Sequence, residues 1–181
     1  MPATDSALIR PSLERTDIRP LIDIVRATGY FDEPEVAVAQ ELMESHLAQG
    51  AQISGYFFEV AERPRGFPIG YACHGPIPGT TGSHDLYWIV VAPEAQGHGV
   101  GKHLLATVLT RLQSSVAARK LYVETSARPL YQPTHSFYRR CGFTEIARLP
   151  DFYRPGDDQL IFCLDLAPHP NTHGSSGLRE R

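Results

Sequence analysis

Residues 91 to 102 read Val-Ala-Pro-Glu-Ala-Gln-Gly-His-Gly-Val-Gly-Lys, with glycine at positions 97, 99 and 101. Glycine has no Cβ to hold a ligand away from the main chain. The stretch lies between the apolar run Asp85 to Val91 (DLYWIVV) and a long amphipathic run that begins near Val100. A helix starting there presents unpaired N–H groups and the positive end of its dipole. Together these bind phosphate or pyrophosphate. Lys102 adds a point charge near the same groups. A tight strand-to-helix turn also uses glycine, for geometry alone. Two nucleotide fingerprints fail here. A Walker loop needs glycine at 96 and Ser or Thr at 103, where Gln96 and His103 stand. A Rossmann turn needs a third glycine at 102, where Lys102 stands.

The elements that must position this stretch follow from periodicity and breakers. Ala7 to Arg10 reads as a short strand. A helix runs from the caps at Thr16 and Asp17 to about Thr28, and a second from Pro34 to about Gln49. Gly55 to Ala61 and Phe67 to His74 form a hairpin around the turn Glu62 to Gly66. Gly75 to Gly82 (GPIPGTTG) reads as a loop. After the strand Asp85 to Val91, a helix runs from Val100 to Ala118 with Leu104, Leu105, Val108, Leu109 and Leu112 on its buried face. Lys120 to Glu124 is a strand and Pro133 to Arg140 a short helix. Phe143 to Arg148 and Gln159 to Leu166 are the last strands, joined by a loop, Asp151 to Asp158. The order is β-α-α-β-β-β-α-β-α-β-β. It predicts an α/β (α+β) fold with a mixed, mostly antiparallel central sheet flanked by helices.

The 181 residues fit one domain, expected over residues 1–166, with 167–181 as a disordered tail. The apolar share is 42%, the charged share 20% and the net charge −3, which gives no sign of a nucleic-acid or membrane partner. No apolar run reaches the length of a signal peptide or membrane helix, so a cytoplasmic protein is expected. Cys73, Cys141 and Cys163 match no zinc pattern and read as reduced thiols, so no metal is expected.

Two motifs together resemble the GNAT superfamily of acetyltransferases. Gln96, Gly99 and Gly101 fill the three fixed places of its Arg/Gln-x-x-Gly-x-Gly/Ala pattern. Phe137-Tyr138-Arg139-Arg140-Cys141-Gly142-Phe143 is similar to its second hallmark, and the order of elements agrees over residues 7–166. The resemblance implies acetyl-CoA as acyl donor and an amine as acceptor. It implies that Ile89, Val90 and Val91 line the pantetheine arm, with the backbone of Ile89 and Val91 pairing to it. Gln96, Gly97, His98, Gly99, Val100 and Gly101 would hold the pyrophosphate through their amides. Tyr138 would protonate the departing thiolate, as a phenol that keeps its proton at pH 7 can. The family's asparagine seven residues before that tyrosine is Tyr131 here, which leaves Thr134 or Gln132 for the coenzyme contact. Pairing of two copies through the last strands is a further implication.

Acylation needs a neutral amine, so a base must take a proton. Glu124 ranks first and Asp85 second, with His74 and His84 beside the loop as further candidates. The loop over 151–158 also offers the acids Asp151, Asp157 and Asp158, which could receive a cationic acceptor but read more simply as a solvated turn. A coenzyme-binding sensor of the same fold and a nucleotide-phosphate binder are the alternatives.

Overall fold

Phe58, Val60, Tyr71 and Cys73 alternate with Phe57, Glu59, Ala61 and Ala72 along two neighbouring strands, so each face of the pair carries its own row of side chains. One row packs on the first two helices and the other on the long central helix. The structure is a computed structural model that describes residues 7–64, 66–115 and 117–166. The expected tail and residues 1–6 lie outside the described residues.

The strands are β1 (Leu8–Arg10), β2 (Phe57–Arg63), β3 (Phe67–Pro76), β4 (Ser83–Val91), β5 (Lys120–Ser126), β6 (Thr144–Arg154) and β7 (Asp157–Asp165). The helices are α1 (Ile18–Ala27), α2 (Glu33–Gln49), α3 (Ala51–Ser54), α4 (Val100–Gln113) and α5 (Gln132–Arg140). Among the described residues, seven strands form one sheet in the order β1-β2-β3-β4-β5-β7-β6. Every neighbouring pair is antiparallel except β4 and β5, which α4 connects as a parallel crossover. The mixed sheet expected from the sequence is the one present.

Each face buries its own core. Leu104, Leu105, Val108 and Leu112 of α4 pack on Leu86, Leu121 and Val123. Leu21, Ile22, Val25 and Met43 of α1 and α2 pack on Phe58, Val60, Tyr71 and Val90. The α4 face also buries a charge. Glu59 is 0% exposed, with Arg111 Nε 2.7 Å and His74 Nε2 3.8 Å from its Oε1. His74, expected near the cleft or surface, is instead 1% exposed and stacked on Phe57.

One bulge decides the shape of the sheet's centre. Cys73 pairs with Trp88 and His74 with Leu86, so Tyr87 is an extra residue on β4. A bulge bends and twists its strand. The parallel pairing of β4 with β5 covers only Ser83–Asp85 against Lys120–Tyr122. Beyond it the two strands part, and the β4 edge from Leu86 to Val91 has no strand partner on that side.

Several boundaries differ from the sequence reading. α4 ends at Gln113 rather than Ala118, because Ser114 Oγ turns back onto Arg111 O (2.6 Å) and Ser115 N–H bonds Leu112 O (2.9 Å). The loop expected over 151–158 is a tight hairpin, with β6 running to Arg154 and β7 starting at Asp157. Its turn is fixed by Gly156 at φ 81°, whose N–H donates to the Asp151 carboxylate, and by Asp151 N–H donating to Asp158. β3 extends to Pro76, which shortens the loop before β4. The short α3 and a 3-10 turn at Pro129–Tyr131 were not expected.

Candidate functional site

The glycines at the start of α4 are there for geometry and for space. Gly97 and Gly99 hold φ of 77° and 85°, a left-handed conformation that disfavours other residues. A Cβ at either would meet nothing within 4 Å, so their outer side is open. A Cβ at Gly101 would make ordinary contacts of 3.7 Å with Phe137 and Val91. Gly99 is the N-cap residue and no side chain caps the helix. The first helical bond is His103 N–H to Gly99 O at 3.0 Å. Among the described residues, none accepts a bond from the amides of Gly97, His98, Gly99, Val100, Gly101 or Lys102. These N–H groups lie unbonded at the positive end of a 14-residue helix, a position that favours an anion.

Gln96 differs from the residues that follow it. Its N–H meets Pro93 O at 3.3 Å, and its side-chain amide donates to Val91 O at 3.0 Å. It therefore braces the turn against the end of β4, and the free amides begin one residue later. His98 is exposed, with Nδ1 2.8 Å from Gln96 O. Val90 is 3% exposed and packs into the α1–α2 core, whereas Ile89 and Val91 pack on the α4 face beside the parted strands. Lys102 is exposed in the first turn of α4. It and Arg140 oppose the upward push of burial on the Cys141 thiol, which places both cations near the end of α5.

Tyr138 lies on the α4 side of the sheet, 4% exposed, with its ring 5.5 Å from Phe143 and 5.9 Å from Phe162. Burial pushes its phenol far above the usual range, so it keeps its proton. Its hydroxyl has no hydrogen-bond partner among the described residues. Thr134 stands half-buried one turn earlier on α5. Tyr131, in the place of the family's asparagine, is turned elsewhere. Its hydroxyl donates to Tyr30 O at 3.0 Å and its ring meets Tyr30 edge-on at 5.1 Å. It ties the start of α5 to the loop after α1, a contact across 101 residues that no local pattern in the sequence signals.

The opposite face of the parted strands carries the acids. Leu121 and Val123 point into the α4 core, so Tyr122 and Glu124 point the other way. With Ile77, Asp85, Ile146 and Ile161, among others, they line a cavity of about 380 Å³. Glu124 Oε2 accepts a 2.7 Å bond from Gln159 Nε2. Burial, and then the neighbouring Glu124, push the Asp85 carboxyl up to about 6. Asp157 and Asp158 are engaged by arginines instead. Asp157 is 2% exposed beside Arg128 (3.1 Å) and Arg154 (3.4 Å), and Asp158 pairs with Arg148 (2.6 Å). Among the described residues, no group of three or more His, Cys, Asp or Glu could hold a metal ion, and no helix is long and apolar enough to cross a membrane.

Unbonded amides at the start of α4, an unpaired β4 edge, a buried phenol on one face of the sheet and two carboxylates on the other are the chemical groups brought to this part of the fold. The chain belongs to the acetyltransferase (GNAT) family, whose model matches residues 21–143, and it is an acyltransferase. It is 42% identical to a GNAT-family protein from Desulfovibrio desulfuricans of known structure, covering 90% of this chain and all of that one, with a TM-score of 0.85. Two more distant structures share the fold. The ribosomal-protein-S18-alanine N-acetyltransferase of Escherichia coli is 19% identical over 92% of this chain and 98% of that one (TM-score 0.72). An aminoglycoside 6'-N-acetyltransferase complexed with coenzyme A is 17% identical over 91% and 99% (TM-score 0.71). No curated protein matches the chain.

Proposed function

We propose that this protein transfers an acetyl group from acetyl-CoA to a primary amine by direct attack in a ternary complex. The observation that carries the reading is the row of bare amides at residues 97–102, beside the end of the unpaired β4 edge. Tyr138 is buried on the α4 face of the sheet, and Asp85 and Glu124 line a cavity on the other face. The diphosphate would sit on the amides, with Lys102 beside it. The pantetheine arm would take the place of a strand along Ile89 and Val91. Val91 O keeps a second lone pair for that contact beside the Gln96 amide.

The two faces of the sheet then divide the chemistry. An amine entering from the acid-lined face loses a proton and attacks the thioester carbon. The C–N bond forms, the C–S bond breaks, and the thiolate leaves toward the α4 face, where Tyr138 supplies a proton. Replacing Tyr138 with phenylalanine should reduce turnover roughly 100-fold, the usual worth of a positioned acid, while acetyl-CoA affinity stays within about threefold of the original. Thiol release over a panel of primary amines, with calorimetric titration of acetyl-CoA, measures both. Unchanged turnover would remove Tyr138 from the chemistry. Tight coenzyme binding with no thiol release from any amine would favour a coenzyme sensor of the same fold.

A further inference from the structure

The helices on the acid-bearing face cover only half of the sheet. α1 and α2 pack on β2, β3 and β4, and no residue of β5, β6 or β7 belongs to their core. Tyr122 and Glu124 of β5, Ile161 of β7 and Ile146 of β6 therefore face the open cavity of about 380 Å³.

Register sets its floor. Ile161 is the cross-strand partner of Glu124, and Asp85 is that of Tyr122, so the four side chains share one face. Ile146 is the extra residue of a bulge in β6, between Glu145 opposite Phe162 and Ala147 opposite Ile161. Ile77 forms the loop side. Its N–H donates to Ser83 O at 2.9 Å, and Thr80 turns its hydroxyl back onto Ile77 O at 2.8 Å. The loop is thus held by its own bonds, and the Thr80 hydroxyl is already used.

The charge in this cavity is confined to one place. Asp85 and Glu124 are its only charged lining residues, and three isoleucines and the Tyr122 ring lie around them. Tyr87, the extra residue of the β4 bulge, lies beside Asp85 and meets Tyr56 edge-on at 5.5 Å. Lys120, two residues before Tyr122 on the same face, is paired with Asp165. No free countercharge lines the apolar part of the cavity.

We propose that the acceptor is a small primary amine with a single positive charge, carried on an apolar body. The proposal rests on the transferase reading and deepens it by naming the class of acceptor. The ammonium lies at Asp85 and Glu124, and the hydrocarbon lies over Tyr122 against Ile77, Ile146 and Ile161. An ammonium in such a place needs a countercharge, and a methyl group does not. Isoleucine offers no hydrogen bond to a sugar hydroxyl or a peptide group. A second ammonium or a hydroxylated ring would lose water there and gain no partner. The volume is at the small end of ligand pockets, which suits a compact amine.

Thiol release along the straight-chain series from propylamine to heptylamine tests this. Each methylene removed from water should raise kcat/KM by up to about fourfold, until the chain outgrows the cavity. Hexylamine and 1,5-diaminopentane have the same length and differ only in a terminal methyl or ammonium. Hexylamine should be preferred by about tenfold or more. Ile146 is 54% exposed, and Ile146→Thr keeps a β-branched side chain, so this variant should fold and still be stabilised by acetyl-CoA. In it and in Ile161→Thr the gain per methylene should shrink, with the loss in KM rather than in kcat. A wild-type protein that acetyl-CoA does not stabilise, or that releases no thiol with any amine, ends the transferase reading itself. Release that is flat along the series, that is as fast with 1,5-diaminopentane, or whose gain per methylene is unchanged in both variants overturns the apolar acceptor. A dimer in sedimentation that Ile146→Thr dissociates would give this face to a second copy of the chain and overturn it as well.

Discussion

Replacing Gly99 with glutamate should abolish acetyl-CoA binding in a chain that still folds. The new Cβ projects into open space, so no neighbour has to move. The residue holds φ at 85°, which costs a side chain about 1–2 kcal/mol. That strain alone does not unfold a domain of this size. The added carboxylate would lie among the free amides of residues 97–102, where it fills the cradle and repels the diphosphate. One unit charge about 4 Å from another is worth about 4 kcal/mol at an effective dielectric near 20, roughly 1,000-fold in affinity. Gly101→Ala is the matched control, because its Cβ would make only ordinary 3.7 Å contacts. Titration calorimetry should show binding lost in the first variant and kept in the second. Binding within about threefold of wild type in a folded Gly99→Glu protein would contradict the placement of the diphosphate.

The largest effect on stability is expected at Arg111. Its guanidinium is the cation for Glu59, whose carboxylate is 0% exposed beneath α4. Removing one partner of a buried pair leaves a charge in a poorly solvating interior, at about 3–5 kcal/mol. The Arg111 side chain is 36% exposed, so water can enter behind Arg111→Met, and the lower end applies. About 3 kcal/mol corresponds to a melting-temperature loss of roughly 6–12 °C in a domain of this size. Adding Glu59→Leu should recover most of it, because an apolar pair of similar shape needs no countercharge. Calorimetric melting of the single and double variants decides it. A single variant within about 2 °C of wild type would show that Glu59 is satisfied by other means.

What could be read in advance divides by range along the chain. The α4 stripe of Leu104, Leu105, Val108 and Leu112 repeats with helical period, and the glycines at 97, 99 and 101 follow an unmistakable strand. Both were legible because local spacing specifies them. The parting of β4 from β5 is not legible in local spacing, since a single-residue bulge at Tyr87 leaves no mark on composition. Glu59 lies in the apolar run FFEVA, and its partner Arg111 is 52 positions away, beyond the reach of local pattern. The tie from Tyr131 to Tyr30 and the hold of Gln159 on Glu124 are equally non-local. The hairpin at 155–156 was hidden because Pro, Gly and Asp mark loops and tight turns alike. Position along the strands brings Glu124 and Asp85 to notice, whereas the burial of Asp85 and the hydrogen bond from Gln159 to Glu124 emerge only on folding.

The most direct measurement is the amide proton–nitrogen NMR spectrum of the protein titrated with acetyl-CoA. The largest shifts should fall on the N–H groups of residues 97–102, which gain phosphate acceptors, with a second set along Ile89 to Val91. Binding that leaves those signals in place and moves others, or no binding at millimolar coenzyme, would contradict the account.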